Sequence, residues 1–173
     1  MFELQRLRPD HEPAVLAFER ANRAYFAKSI SDRGDEFLVQ FAERHRALLA
    51  DQHAGVCAYY VLVAEAGKVV GRFNLYDLVD GTAEVGYRVA ERVAGRGVAT
   101  SALQDLCRIA SEQYGLQTLS AAASSDNVAS QRVLTKVGFV ATGPAEVGGR
   151  QGSRYELVLE PLAPASRSLL TDT

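Results

Sequence analysis

Hydrophobic positions in the first part of the chain follow one strand pattern and then two helical patterns. Phe2, Leu4 and Leu7 stand between polar residues and predict a short strand. Asp10 is a suitable N-terminal cap for a first helix. Hydrophobic residues between positions 37 and 49 recur at the spacing of one helical face, so they predict a second amphipathic helix.

From residue 58 the pattern becomes that of β-strands. Three runs rich in β-branched and aromatic residues occupy positions 59–64, 69–78 and 82–89. The segments 65–68 and 80–81 separate them, and both have the glycine-containing composition of tight turns. The three runs therefore predict an antiparallel meander.

A crossover unit is predicted after the meander. A glycine-containing loop at 91–97 leads from the third strand of the meander into an amphipathic helix, and a short strand follows at 118–123. Strands joined through a helix in this way run parallel, so we expect 82–89 and 118–123 to form a parallel pair.

The end of the chain predicts one more helix and a hairpin. The helix begins near Asp126 or Asn127 and ends at Gly138, and the hairpin strands lie between residues 139 and 159. The whole pattern predicts the α+β class, with a mixed, mostly antiparallel sheet of six or seven strands and about four helices.

Length and composition indicate an ordinary globular protein. The chain has 173 residues, of which 47% are hydrophobic and 23% charged, and its net charge is -2. We expect a single domain over residues 1–162 and a flexible tail over residues 163–173. The charge balance argues against a nucleic-acid coat or an anionic membrane as partner. No apolar run predicts a signal peptide or a membrane span, so a cytoplasmic location is expected.

Metal chemistry is not predicted. Cys57 and Cys107 lie far apart in the sequence, and the three histidines form no pattern of metal ligands. Both cysteines stand among apolar residues, and we interpret them as small buried side chains.

The loop between the parallel strands carries the main chemical signal. The start of a helix presents unpaired N–H groups and the positive end of the helix dipole, and flanking glycines let a ligand approach the backbone. Such a site suits a diphosphate, although a turn without a ligand has the same composition. The nucleotide-triphosphate loop needs Lys after its last glycine, and the dinucleotide fingerprint needs a third glycine; Val98 and Thr100 stand there instead.

Two segments together resemble the GNAT superfamily of N-acetyltransferases. Arg92-x-x-Gly95-x-Gly97-x-Ala99 is similar to its (Q/R)-x-x-G-x-(G/A) motif. Asn127-x-x-Ser130, followed by Lys136-x-Gly138-Phe139, is similar to its second signature. With the segments 83–87 and 155–157, the pattern resembles the RimJ/RimL subgroup, which acetylates protein N-termini. The resemblance covers residues 61–159.

This resemblance implies acetyl-CoA as cosubstrate and assigns residues to it. Backbone amides of the loop would hold the pyrophosphate, a strand segment would pair with the pantetheine arm, and a helix start would bond to the same arm. The residues implied in cofactor binding are Tyr87, Arg88, Val89, Arg92, Gly95, Arg96, Gly97, Val98, Ala99, Thr100, Asn127, Ser130 and Lys136. Asn127 is equally suited to be a helix cap, and Lys136 to be a solvated charge.

Catalysis needs a base for the amine and a proton for the departing thiolate. Glu84 is the predicted base, because strand alternation puts it with Gly86 on one face. Many superfamily members have a tyrosine acid where this chain has Leu134, so the resemblance implies that Ser130 bonds to the sulfur instead. A backbone N–H near Val89 would meet the oxyanion.

Several functions stay open from the sequence alone. The resemblance favours a protein N-terminal α-amine as acceptor. A small amine metabolite, an amine-bearing antibiotic, a non-catalytic acetyl-CoA sensor and a nucleotide-binding module are the alternatives. Acceptor recognition is expected from the residues before Ala58 and from the terminal hairpin. A homodimer is possible by analogy with the superfamily, but no interface is predicted.

Overall fold

The fold is one mixed sheet with helices on both faces. The computed structural model describes residues 1–161, and the predicted tail at 163–173 lies outside them. The strands are β1 (Glu3–Arg6), β2 (Ala58–Val63), β3 (Val69–Val79), β4 (Thr82–Val89), β5 (Thr118–Ser124), β6 (Val140–Val147) and β7 (Arg150–Val158). The α-helices are α1 (Glu12–Phe26), α2 (Gly34–Val39), α3 (Phe41–His53), α4 (Val98–Tyr114) and α5 (Val128–Val137).

Across the described part of the chain, the sheet has seven strands in the order β1-β2-β3-β4-β5-β7-β6. The meander β2-β3-β4 is confirmed, and its second turn places Asp80 and Gly81 at φ 50° and 74°, which suits the Asp-Gly pair. β4 and β5 are parallel, as the crossover unit predicted. All other neighbouring strands are antiparallel.

Two groups of helices cover the two faces. Tyr60 of β2 meets Tyr114 of α4 through their hydroxyl groups at 2.9 Å, whereas the next residue back, Tyr59, donates its N–H to Gln52 of α3 at 3.0 Å. The core between the layers is apolar. Its fully buried members include Phe73, Leu75, Leu103, Leu106 and Leu119.

The helix count differs from the prediction. The helical pattern at 37–49 is divided between α2 and α3, because Gln40 leaves the helical region with φ −89° and ψ 12°. Residues 1–161 therefore contain five α-helices where about four were expected. Gly138 ends α5 as predicted, and both it and Gly115, which ends α4, have left-handed backbone angles.

The parallel pair separates partway along its length. The last paired residues are Glu84 of β4 and Ser120 of β5, yet β4 continues to Val89 and β5 to Ser124. We call the resulting gap between residues 85–89 and 121–124 the slot. Within residues 1–161, no helix is both long enough and apolar enough to cross a membrane.

Candidate active site

The glycine loop, residues 91–100, offers a row of unpaired backbone donors. None of the N–H groups from Gly95 to Thr100 finds an acceptor within residues 1–161; the first paired amide is Ser101, which donates to Gly97 O at 3.0 Å. α4 begins at Val98, so its dipole adds positive potential at the same point. The loop thus has the features that suit an anion, and Arg92 and Arg96 are exposed on its rim.

The loop glycines have a conformational role and an access role. Gly95 and Gly97 have φ of 73° and 77°, a region that side chains with a Cβ rarely adopt. A Cβ added at either position would meet no atom within 4 Å. Packing therefore does not require glycine here, whereas the backbone turn does, and the open space leaves room for a ligand.

The slot exposes backbone groups of β4 along one edge. Ala90 donates its N–H to Val70 O on the β3 side at 2.8 Å. Because successive residues of a strand point their amides in opposite directions, the N–H groups of Tyr87 and Val89 point to the slot. An extended ligand could pair with them as an additional strand would.

A hydroxyl pair joins the two sides of the slot. The hydroxyl groups of Tyr87 on β4 and Ser130 on α5 lie 3.1 Å apart. The Tyr87 ring is stacked on Phe73 with centroids 5.5 Å apart and planes at 7°. Burial raises the pKa of Tyr87, against the weaker lowering effect of the bond to Ser130. Tyr87 thus keeps its proton at neutral pH and can supply it to Ser130 or to a group between them.

Asn127 has the capping role, and its geometry leaves the predicted role in cofactor binding open. Its Oδ1 accepts the Ser130 N–H at 3.1 Å and so caps α5. Its side-chain NH2 has no acceptor within residues 1–161 and remains available to a ligand at the slot. Lys136 is exposed in the last turn of α5, which suits either the predicted contact with CoA or a solvated charge.

Glu84 stands where the two strands begin to separate. It is exposed, and it pairs in register with Tyr76 on β3 and Ser120 on β5. Its neighbours Ala83 and Val85 are buried, so the predicted alternation is confirmed. Its role as base stays a prediction, since no side chain or backbone group of residues 1–161 forms a hydrogen bond or ion pair with its carboxylate.

A cavity of about 390 Å³ lies beneath α2 and α3, on the face of the sheet opposite to the one that α4 covers. Four arginines line it: Arg33, Arg44, Arg72 and Arg88. We call it the arginine cavity. The Arg88 side chain therefore lies away from the slot, and its backbone amide points to β3 as that of Ala90 does, so the structure brings neither group of Arg88 to the predicted CoA contact.

A buried carboxylate holds two of these arginines. Glu19 of α1 is 4% exposed, and its two oxygens meet Arg72 at 2.8 Å and Arg88 at 3.3 Å. Burial lowers the pKa of Arg88, Glu19 opposes that shift, and Arg72 adds to it. One carboxylate serves two guanidinium groups, so this cluster keeps a net positive charge.

The sheet forms a polar floor for the cavity. Asn74 donates from Nδ2 to the Tyr76 hydroxyl at 2.8 Å, while its buried Oδ1 has no partner within residues 1–161. The Tyr76 ring lies over Gly86, where an added Cβ would approach the ring to 2.9 Å. Gly86 belongs to β4 just beyond its last pair with β5, so the floor reaches the mouth of the slot.

Sequence patterns gave no indication of Glu19, Asn74 or Tyr76. They come from α1 and β3, and no short motif contains them. Spacing also gave no hint that Asn22 fixes the glycine loop to α1, where its Oδ1 accepts the Glu91 N–H at 3.0 Å. Buried polar residues on amphipathic elements were the one available signal.

A family model supports the motif-based interpretation. Residues 2–140 match the family described as "Acetyltransferase (GNAT) domain". The Bacillus subtilis (strain 168) protein named "Putative ribosomal N-acetyltransferase YdaF" is 32% identical over 84 residues. That match covers 47% of this chain and 46% of YdaF, so it spans about half of that relative's length.

Solved structures share the fold across nearly the whole chain. The ribosomal-protein-S5-alanine acetyltransferase from Vibrio fischeri superposes with a TM-score of 0.85 at 18% identity, covering 94% of this chain and 96% of that one. Mycobacterium smegmatis RimJ in complex with CoA-disulfide gives a TM-score of 0.82 at 21% identity, covering 94% and 84%. At these identities the similarity establishes a common fold. One of the two structures that share this fold contains CoA.

Proposed function

The chain belongs to the GNAT acetyltransferase family, and on this premise we propose that it transfers an acetyl group from acetyl-CoA to the α-amine of a protein N-terminus. The main support for acetyl-CoA as cosubstrate is the row of unpaired backbone amides from Gly95 to Thr100, which lies directly beside the slot. A diphosphate meets those amides and the α4 dipole, while an extended arm follows the free edge of β4.

The acceptor assignment is supported by chemistry and by structural relatives. An α-amine has an ordinary pKa of about 7.7–8.0, compared with about 10.4 for lysine, so much more of it is neutral and nucleophilic at physiological pH. An exposed carboxylate such as Glu84 is a sufficient base for such an amine. The Vibrio fischeri neighbour is described as acting on ribosomal protein S5, which is the kind of acceptor that we propose.

Residues on both sides of the slot have complementary tasks in this proposal. Acetyl-CoA supplies the reactive thioester. Glu84 accepts the proton of the attacking amine, directly or through water. The Val89 N–H stabilises negative charge on the carbonyl oxygen. Ser130, with the Tyr87 hydroxyl 3.1 Å behind it, donates a proton to the departing sulfur and takes the place of the tyrosine that Leu134 replaces.

Leu134 favours a second candidate, a protein that senses acetyl-CoA without turnover. This side chain is 1% exposed and apolar, so it cannot protonate a thiolate. The Tyr87–Ser130 pair argues for the enzyme, because it supplies the missing hydroxyl function from β4 and from the first turn of α5. We further propose a cytoplasmic location, because both cysteines are free and buried, as is usual in reducing compartments.

The first test is titration calorimetry of the purified protein with acetyl-CoA, and with ATP as control. Binding of acetyl-CoA alone is expected, because the glycine loop lacks the lysine of a nucleotide-triphosphate loop. The second test incubates the protein with acetyl-CoA and serine-initiated peptides, and follows both CoA release and peptide mass. Binding without acetyl transfer to any amine would favour the sensor, whereas no binding to folded protein would overturn both candidates.

A further inference from the structure

The arginine cavity has an unbalanced charge. Its lining includes four arginines, and no aspartate or glutamate of residues 1–161 is part of it. Glu19 lies behind the lining and neutralises one charge at most. A cationic cavity that leads to the mouth of the slot will repel cations and attract anions.

The outer pair of arginines lacks a carboxylate partner. Arg33 and Arg44 hold their guanidinium groups 4.6 and 5.4 Å from the centroid of the same ring, Phe37. No carboxylate of residues 1–161 forms an ion pair with either of them. Two like charges at one ring repel each other, and an anion between them would remove that repulsion.

The acidic residues nearest in sequence are committed elsewhere. Asp32 and Asp35 flank Arg33, but both meet Arg23, at 2.8 and 2.6 Å. These acids therefore satisfy Arg23 and leave Arg33 free. Arg44 makes only a long contact of 3.4 Å with the neutral Gln40 side chain.

The floor of the same cavity presents hydrogen-bond acceptors, whereas its outer part presents cationic donors. Asn74 is 9% exposed, and its unpartnered Oδ1 is an acceptor for an N–H donor. The Tyr76 hydroxyl accepts from Asn74 and can contact the same donor. An amine bound here lies next to Gly86, at the mouth of the slot, which is where an acyl group must be delivered.

We infer that the acceptor is an amine that also carries a carboxylate: the amine binds at Asn74 and Tyr76, and the carboxylate binds between Arg33 and Arg44. This inference rests on the proposed function, and it specifies the acceptor as an acidic N-terminus with Asp or Glu close behind the first residue. A cavity of about 390 Å³ accommodates such a short segment. Polyamines are excluded as good acceptors by the same charge.

The test uses two hexapeptides with serine first and either aspartate or asparagine at the second and third positions. Wild-type protein is expected to show kcat/KM about tenfold higher for the acidic peptide, and added salt should reduce this ratio. The double variant Arg33→Gln/Arg44→Gln should bring the ratio to about one, through a fall in kcat/KM for the acidic peptide. Arg46→Gln is the matched control, because Arg46 is an exposed arginine of α3 outside the cavity lining.

Peptide binding to the CoA-saturated protein, measured by calorimetry, separates this inference from the proposed function. Preferential binding of the acidic peptide without acetyl transfer would support the cavity assignment and contradict the proposed enzyme. Equal kcat/KM for both peptides, or a preference that survives the double variant, would overturn the inference and leave the enzyme intact. A further comparison uses glycine and glycinamide as acceptors. Acetylation of glycine but not of glycinamide would identify a small amino acid as the source of the carboxylate. Efficient acetylation of spermidine would contradict the inference.

Discussion

The glycine loop and the arginine cavity both adjoin β4, but the loop presents backbone groups and the cavity presents side chains. The loop uses backbone amides of one continuous segment, and its glycines have open space around them. The cavity is lined by residues from the α1–α2 connection, α2, α3, β2, β3 and β4, and the Glu19–Arg88 pair behind it joins residues 69 positions apart. One half of the site is therefore local, and the other depends on the tertiary structure.

This difference predicts how substitutions in the loop and in the cavity affect binding and stability. A change at Gly95 or Gly97 of the loop should remove binding while the fold remains intact, since a side chain at either position meets no atom within 4 Å. A change in the buried ion cluster of the cavity should reduce the stability of the whole domain, because Glu19 connects α1 to two strands. Substitutions can test the contrast directly.

The largest effect is expected from Glu19→Gln. It leaves Arg72 and Arg88 buried without a carboxylate, and breaking a buried ion pair in this way costs about 3 kcal/mol or more. Urea unfolding should show this decrease in the free energy of unfolding. Glu112→Gln, at an exposed position of α4, is the control and should change stability by less than about 0.5 kcal/mol. A loss below about 1 kcal/mol at Glu19 would mean that the cavity is not tied to the fold.

Gly97→Asp tests the local half. Aspartate tolerates the left-handed backbone better than most residues, and its carboxylate would repel a pyrophosphate at the loop. The affinity for acetyl-CoA should fall by about 100-fold, which calorimetry can measure. Gly55→Asp is a matched control, since Gly55 has φ 76° and equally open space. The two variants should lose the same stability, and only the first should lose binding; equal affinities would remove the loop from the cosubstrate site.

The same contrast explains what the sequence could predict. Local sequence patterns predicted the strands of the meander and α4, because each depends on neighbouring residues, and the crossover rule then predicted the parallel pair. The prediction of one helix at 37–49 was less accurate. The hydrophobic periodicity is continuous there, yet Gln40 divides the segment into α2 and α3. A backbone change at one residue leaves the hydrophobic pattern unaltered, so the pattern could not predict it.

Site residues follow the same rule. Gly95, Gly97, Asn127 and Ser130 lie in short segments with recognisable spacing, so the resemblance could assign them. Asn74 belongs to no motif, and its place in the cavity results from how β3 pairs with β4. No pattern along the chain reports such a pairing of distant polar residues.

Tyr87→Phe examines the point where the two halves come together. The substitution keeps the ring stacked on Phe73 and deletes only the hydroxyl that bonds to Ser130. We expect kcat to fall about tenfold, with unchanged acetyl-CoA affinity, because the proton donor pair loses one member. Tyr25→Phe is the control, since Tyr25 lies on α1, away from the slot. An unchanged kcat would leave Ser130 as the sole proton donor.

Gly86→Ala should give the smallest effect and the sharpest separation of the two halves. Its new Cβ would approach the Tyr76 ring to 2.9 Å, so the ring and its contact with Asn74 must shift on the cavity side alone. We expect the KM for the acceptor to rise about fivefold, equivalent to about 1 kcal/mol, with acetyl-CoA affinity unchanged. Gly143→Ala, which meets no atom within 4 Å, should alter neither value. If Gly86→Ala weakened acetyl-CoA and acceptor binding equally, the two halves would share one rigid framework at β4, and their different construction would not make them independent.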